Sequence, residues 1–231
     1  MQALSFLQKK WQRIKNTKLL SFEDLNAVSG KQYSYTVCAV NGTEKSEFVP
    51  VDFVRRLVNP KVTYENTAKG IKVSWQKISG AKGYYVYRRG YSNGKWGGWE
   101  RIATSSTNQY FDLKVKSGQY YRYTVRAFDG KIKSAYTSGK TLMYLKTPAV
   151  SVAKASVGAK VTWIKSAGTK CYYVYRREYK GGKWTKWQRL TKTTKAYTDK
   201  TAKKGKAYQY TVKAINENYE SAFIASKTFK R

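Results

Sequence analysis

Residues 58–145 run in short stretches where apolar and polar residues alternate, each stretch broken by glycine, asparagine or small polar clusters. A period of two puts successive side chains on opposite faces of an extended chain, the mark of a half-buried β-strand. Seven strands are predicted: KVTYEN (61–66), IKVSWQ (71–76), GYYVYRRGY (83–91), KWGGWERIA (95–103), QYFDL (109–113), YYRYTVRAF (120–128) and KSAYTSGKTL (133–142). Asn93 and Gly94 in YSNGKW form a hairpin tip, where a type I′ turn needs positive φ at both central residues. Gly181 and Gly182 serve the same bend further on. No stretch sustains a 3.6-residue apolar period, so helices should be few.

The string GYYVYRR at 83–89 returns as CYYVYRR at 171–177, a step of 88 residues. Trp11, Trp99 and Trp187 keep that step, and Asp24, Asp112 and Asp199, like Tyr33, Tyr121 and Tyr208, follow it to within one residue. Solenoid repeats of roughly 20 to 50 residues share one continuous core; a period this long suits self-contained small domains. Complete copies span 58–145 and 146–231, while 1–57 matches only the back half of a copy. That first copy has no counterpart of GIKVSWQKISGAKGYYVYRR. It is expected to be a truncated piece of an upstream domain without a complete core.

Seven short antiparallel strands in under ~100 residues, with turn signals at regular spacing, indicate an immunoglobulin-like β-sandwich. KVSW and KVTW place Trp75 and Trp163 on the second strand, and SGKQYSYTVCA (29–39), SGQYYRYTVRA (117–127) and KGKAYQYTVKA (204–214) carry a glycine, a tyrosine and an alternating apolar strand. On these residues the chain resembles fibronectin type III repeats of secreted and cell-surface proteins of Gram-positive bacteria. The resemblance covers two full copies and one partial copy. It implies that Trp75 and Trp163 are core residues, and that Tyr33, Tyr121 and Tyr208 form tyrosine corners bonded back to the preceding loop. No Arg-Gly-Asp string occurs. Type III repeats serve as adhesive modules, spacers and enzyme accessories, so the fold does not choose among these functions.

Alternation sorts the repeated string by face. With Tyr84 and Val86 inward, Tyr85, Tyr87 and Arg89 point outward; with Tyr121, Tyr123 and Val125 inward, Arg122 and Arg126 do. The last copy repeats this with Tyr173, Tyr175 and Arg177 beside Gln209 and Lys213. Such a face of tyrosines and cations suits sugar rings, phosphates or carboxylates, or it holds cation–π pairs within itself. Trp96 and Trp99, repeated as Trp184 and Trp187, lie three apart on the fourth strand and would face opposite ways if it is regular. Trp99 and Trp187, matched by Trp11, are then expected in the core. Trp96 and Trp184, beside the hairpin tip, are either a ligand platform or a cover for the sandwich edge.

Charge narrows the partners. The chain of 231 residues carries 46 Lys and Arg against 13 Asp and Glu, a net +33 with no histidine. Basic residues outnumber acidic ones by 9 to 5 over 1–57, 16 to 4 over 58–145 and 21 to 4 over 146–231. Such a field attracts polyanions. The densest stretch, KTTKAYTDKTAKKGK (192–206), is a solvated loop or a salt-sensitive contact with a polyanion.

The chain has no helix-turn-helix, zinc-finger or RNA-recognition signature, and with that the resemblance to cell-surface type III repeats implies an anionic cell-wall polymer, a glycan or a surface protein ahead of nucleic acid as partner. Without histidine, a Walker loop or a nucleophile elbow, no catalytic residue, metal site or cofactor is predicted. Cys38 and Cys171 are too few and too far apart for a disulfide framework or zinc cluster, and are read as free thiols.

No apolar run reaches the ~18 residues of a membrane span. MQALSFLQKKWQRIKN has its basic residues after a short apolar stretch, so an exported protein's signal would lie outside this chain. The expectation is a monomeric, non-enzymatic extracellular segment: spacer and low-affinity adhesion module. One alternative is an accessory part of a polysaccharide-degrading or cell-wall-remodelling enzyme; another is a non-specific nucleic-acid binder.

Overall fold

The computed structural model describes residues 11–49, 52–137 and 139–231. These residues form an all-β chain with no helix among them. The N-terminal segment holds four two-residue strands: β1 (Gln32–Tyr33), β2 (Val40–Asn41), β3 (Glu44–Lys45) and β4 (Val54–Arg55). β1 pairs with β4, and β2 with β3.

The middle copy follows with β5 (Val62–Asn66), β6 (Ile71–Trp75), β7 (Gly83–Ser92), β8 (Lys95–Trp96), β9 (Glu100–Ser105), β10 (Gln109–Asp112), β11 (Tyr120–Phe128) and β12 (Leu142–Met143). One sheet runs β10-β6-β5 and the other β12-β11-β7-β8, with β9 also on β7. That is a three-plus-five arrangement, in which β8 and β9 divide one edge position of a fibronectin type III-like sandwich. Period-two burial builds its core: Ile71, Val73 and Trp75 from one sheet meet Tyr84, Val86, Tyr121, Tyr123, Val125 and Ala127 from the other. Each fully buried valine or isoleucine contributes roughly 1.5–3 kcal/mol.

The last copy repeats the plan. β13 (Val150–Lys154), β14 (Ala159–Trp163) and β18 (Tyr197–Asp199) form one sheet; β15 (Cys171–Lys180), β16 (Lys183–Trp184), β17 (Gln188–Thr193), β19 (Ala207–Asn216), β20 (Tyr219–Glu220) and β21 (Phe229–Lys230) form the other. Its own core holds Val161, Tyr172, Val174, Tyr208, Tyr210 and Val212, with Trp163 half-buried against it. Asn93 takes φ 50° and Gly94 φ 76° at the hairpin tip, as a type I′ turn requires.

Two stretches depart from the predicted strands. KWGGWERIA divides into β8 and β9, and the pairing of β7 with β9 slips by one residue at Ile102, a β-bulge repeated at Leu190 between β15 and β17. KSAYTSGKTL is mostly irregular. After the Phe128–Lys133 bridge and the bond from Ser134 N to Ala127 O (2.8 Å), the chain leaves the ladder until β12. Gly139 then packs on the β11 backbone at Tyr123, where a Cβ would have no room.

Successive copies meet at a joint built the same way twice. Ser29 Oγ donates to Ser79 O (3.0 Å) and accepts from Val58 N (3.3 Å). Ser117 Oγ donates to Ala167 O (2.8 Å) and accepts from Lys146 N (3.0 Å). Beside each serine two positive-φ glycines touch, Gly30 with Gly80 and Gly118 with Gly168, and a Cβ on Gly80 or Gly168 would overlap its partner's Cα. At the second joint Asn66 Nδ2 also bonds Met143 O and Glu220 O, both at 3.0 Å, and Tyr120 meets Tyr219 edge-on.

Candidate functional site

The repeated string lies on β7 and β15, each the central strand of its larger sheet. β7 pairs antiparallel with β11, placing Arg89 opposite Arg122 and Tyr85 opposite Arg126. Tyr85, Tyr87, Arg89, Arg122 and Arg126 are all on the outer face, yet each is only half exposed, because they cover one another. Tyr85 stacks on Phe128 (centroids 4.3 Å) and has Arg101 and Lys133 over its ring at 4.9 and 5.4 Å. Tyr87 meets Tyr136 edge-on at 5.3 Å; burial and the hydrogen bond with Tyr136 push its phenol above the ordinary value. Arg126 lies over Tyr136 at 4.5 Å while its Nε donates to Ser134 O at 2.6 Å.

The tryptophans belong to the same layer. The Arg89 guanidinium is 4.7 Å from the Trp99 ring and 5.2 Å from Trp96, and Arg122 is 4.3 Å from Trp96. In the last copy Arg177 is 4.7 Å from Trp187 and 5.1 Å from Trp184, and Arg189 covers Tyr173 at 4.8 Å. Tyr175 is half-buried at the place matching Tyr87. Lys213 lies over Phe223 at 5.6 Å and pairs with Glu220 at 2.6 Å. Cation–π contacts of this kind stabilise by about 0.5–1 kcal/mol when exposed and about 2 when desolvated.

The expectation that Trp99 and Trp187 are core residues is corrected. Trp99 is 38% exposed, and neither residue joins a core cluster. The argument assumed a regular fourth strand. Instead the strand breaks between Trp96 and Glu100, where Gly97 N bonds Gly90 O, and at the matching place of the last copy, where Thr185 N bonds Glu178 O, so both indoles of each pair reach the same outer face. Trp75, at 4% exposure, lies in the middle core.

Tyr33, Tyr121 and Tyr208 accept hydrogen bonds through their hydroxyls from Val28 N (2.7 Å), Lys116 N (2.9 Å) and Lys203 N (3.1 Å) in the preceding loop. The recurring aspartates lie beneath. Asp112 accepts Arg88 Nη1 and the Tyr123 hydroxyl, each at 2.9 Å, and Lys114 N at 3.0 Å. Asp199 accepts Arg176 Nη1 and the Tyr210 hydroxyl, both at 2.8 Å, and Thr201 Oγ1 at 2.7 Å. Burial alone would raise the Asp199 carboxyl, but the bonds from Thr201, Tyr210 and Arg176 outweigh it and hold the carboxyl below 3.8. Burial, then the neighbouring carboxylate, pushes the Tyr123 and Tyr210 phenols far up.

Each triad ties the two sheets of a sandwich together. In each triad the aspartate is anchored at once by an arginine, a tyrosine and a donor from its own loop. The arginine partner was legible: Arg88 shares strand parity with Tyr84 and Val86, and a cation at a core position demands a buried carboxylate.

The strand order defines a tandem fibronectin type III-like chain. No family model matches it. Exoglucanase B of Cellulomonas fimi is 27% identical over a match covering 85% of this chain and 20% of that relative, so the chain spans about a fifth of the relative's length. Among solved structures, the chicken CNTN1 FN1-FN3 domains align at TM-score 0.36 with 17% identity, covering 87% of this chain and 75% of theirs. A two-domain fibronectin type III segment from chicken tenascin aligns at 0.34 with 17% identity, covering 76% and 99%.

Proposed function

We propose that this chain is a non-enzymatic spacer within an exported bacterial protein, divided into units at 1–57, 58–145 and 146–231. Its task is to hold flanking parts at a set distance and orientation. The observation that carries this reading is the joint: the same serine bridge and glycine pair recur between successive copies, so geometry as well as fold is repeated. A flexible tether needs no such joint, because a polar linker suffices.

The likeness to a fifth of Exoglucanase B supports an accessory role beside a polysaccharide-degrading catalytic domain, over free-standing adhesion. The non-catalytic reading is supported by the carboxylates. Asp112 and Asp199, which recur with the repeat, are buried and held by arginine and tyrosine, where a substrate would not reach them.

The joint is tested with Gly168→Ala, which forces a Cβ onto Gly118. Residual dipolar couplings from the two complete sandwiches should fit one alignment tensor in the native chain and two in the variant, with both sandwiches still folded. Two independent tensors in the native chain would remove the spacer argument.

A further inference from the structure

The two outer faces differ in the residue across the ladder from the last arginine of the repeated string, and the difference leaves an arginine without an acceptor. In the last copy Arg177 faces Gln209, whose Oε1 accepts from Nε at 2.9 Å and Nη2 at 2.6 Å. In the middle copy the same place holds Arg122, directly opposite Arg89. Like charges facing each other across an antiparallel pair are destabilising. Among the described residues no ion pair engages either arginine, and Arg89 Nε is buried without a hydrogen-bond partner. Arg122 spends its Nε on Thr141 Oγ1 at 2.9 Å.

The arginines open into a cleft of about 220 Å³ that they line with Trp99, Tyr136, Thr137 and Gly139. Stacking on Trp96 and Trp99 occupies the guanidinium faces, and a guanidinium donates in its plane; with Arg89 Nε buried and Arg122 Nε on Thr141, the terminal Nη groups are the donors left for a ligand. Two forks with aromatic walls suit a planar oxyanion attached to a ring with an apolar face. The cleft is smaller than the roughly 300–1,000 Å³ of drug-sized pockets, which fits a single sugar unit. An adjoining cleft that shares Arg89 is lined by Arg88, Lys114 and Lys116 together with Glu100.

We propose that the middle sandwich alone carries an acidic-sugar site, in which Arg89 and Arg122 hold the carboxylate of a uronic acid unit and Trp99 and Tyr136 contact its ring. This goes beyond the spacer reading and does not depend on it. The carboxylate supplies the acceptor that Gln209 supplies internally in the last copy. Sulfated sugars share the oxyanion chemistry, and the experiment separates them from uronates.

The test is calorimetric titration of the full chain with tetragalacturonate at 0.15 M salt, beside cellotetraose, a sulfated tetrasaccharide and inorganic phosphate. Tetragalacturonate should bind at one site per chain and cellotetraose not at all. Arg122→Gln, which copies the arrangement already folded around Gln209, should weaken binding at least about 10-fold, the scale of a lost charged hydrogen bond. It removes one charge from a net of +33, so a purely non-specific field would barely respond. Gln209→Arg should create a second site in the last copy.

Unchanged affinity in Arg122→Gln, or equal binding of cellotetraose, would overturn the site. Tighter binding of the sulfated tetrasaccharide or of phosphate would overturn its assignment to a carboxylate. Matching thermal unfolding of both variants and the native chain keeps a loss of binding from being read as a loss of fold.

Discussion

Val37 and Val125 occupy the same place in the same repeated string, QYSYTVCA in the first copy and YYRYTVRA in the second, yet Val125 is fully buried and Val37 is 86% exposed. Around Val125 the string is a nine-residue strand paired along its length with β7; around Val37 only Gln32–Tyr33 is a strand. Among the described residues the first copy holds no counterpart of β7 and no opposite sheet, so alternation has nothing to face. Val28, Val40, Val49 and Phe53 stand exposed for the same reason. What survives there is mostly local, the Tyr33 corner, the Tyr35 hydroxyl on Asp24 at 3.0 Å and the β2–β3 hairpin, beside the two-residue β1–β4 pair and the Arg56 bonds to Leu25 O and Ala27 O. Propensity and capping contacts persist without a core, whereas a strand does not outlive the loss of its neighbours.

The sharpest way to break the comparison is at the aspartates. Asp199→Asn should cost the last copy about 3–5 kcal/mol, the effect of leaving a buried arginine uncompensated, while Asp24→Asn, with no arginine paired to it among the described residues, should cost under about 1. Chemical denaturation reads both. Because the folded Asp199 carboxyl lies below 3.8, its contribution is complete above that pH and is lost as pH falls through the depressed folded value. Acid should therefore unfold the native last copy only below about pH 4, and the Asn variant should lack that step. Equal costs at positions 199 and 24 would mean that the first copy is as tightly built as the last.

Next comes the valine pair. Val125→Ala should lower stability by about 2 kcal/mol, and Val37→Ala by less than about 0.5, as at any exposed site. Amide exchange sharpens the contrast: Val125 should exchange through unfolding of its sandwich, and Val37 nearly at the rate of an open chain. A protected Val37 amide would refute the picture of a half-copy without a core.

The smallest effect is expected at the corners. Tyr121→Phe and Tyr33→Phe each remove one hydroxyl acceptor, worth about 0.5–1.5 kcal/mol. In the middle copy the loss should appear in the unfolding midpoint; in the first copy it should appear only as faster exchange at Val28. A shift of the global midpoint by Tyr33→Phe would show that the first copy's loop supports the sandwich next to it.

Much of this fold is readable in the sequence. The repeat, the inward set Tyr84, Val86, Tyr121, Tyr123 and Val125, the outward set Tyr85, Tyr87, Arg89, Arg122 and Arg126, and the hairpin at Asn93–Gly94 all follow from period two and turn chemistry. The errors fall where regularity was assumed. A strand through KWGGWERIA placed Trp99 inside, and one break between Trp96 and Glu100 was enough to turn it out. KSAYTSGKTL reads as a strand, but Gly139 pressing on β11 follows from packing, which no local pattern encodes.

The same division holds for the candidate site. Alternation determined that the tyrosines and cations of the repeated string share one outer face, because side-chain direction along a strand is a property of the backbone; that Trp99 and Trp187 join them was decided by the break in the fourth strand. Tertiary structure decided which of them are spent on each other. Arg177 is satisfied by Gln209 and Arg89 is not, although both arginines sit in an identical YYVYRR string. Hydrogen-bond satisfaction depends on the residue that lies across the ladder, more than 30 positions away in sequence, and pairing register is set by the whole sandwich rather than by the string that enters it.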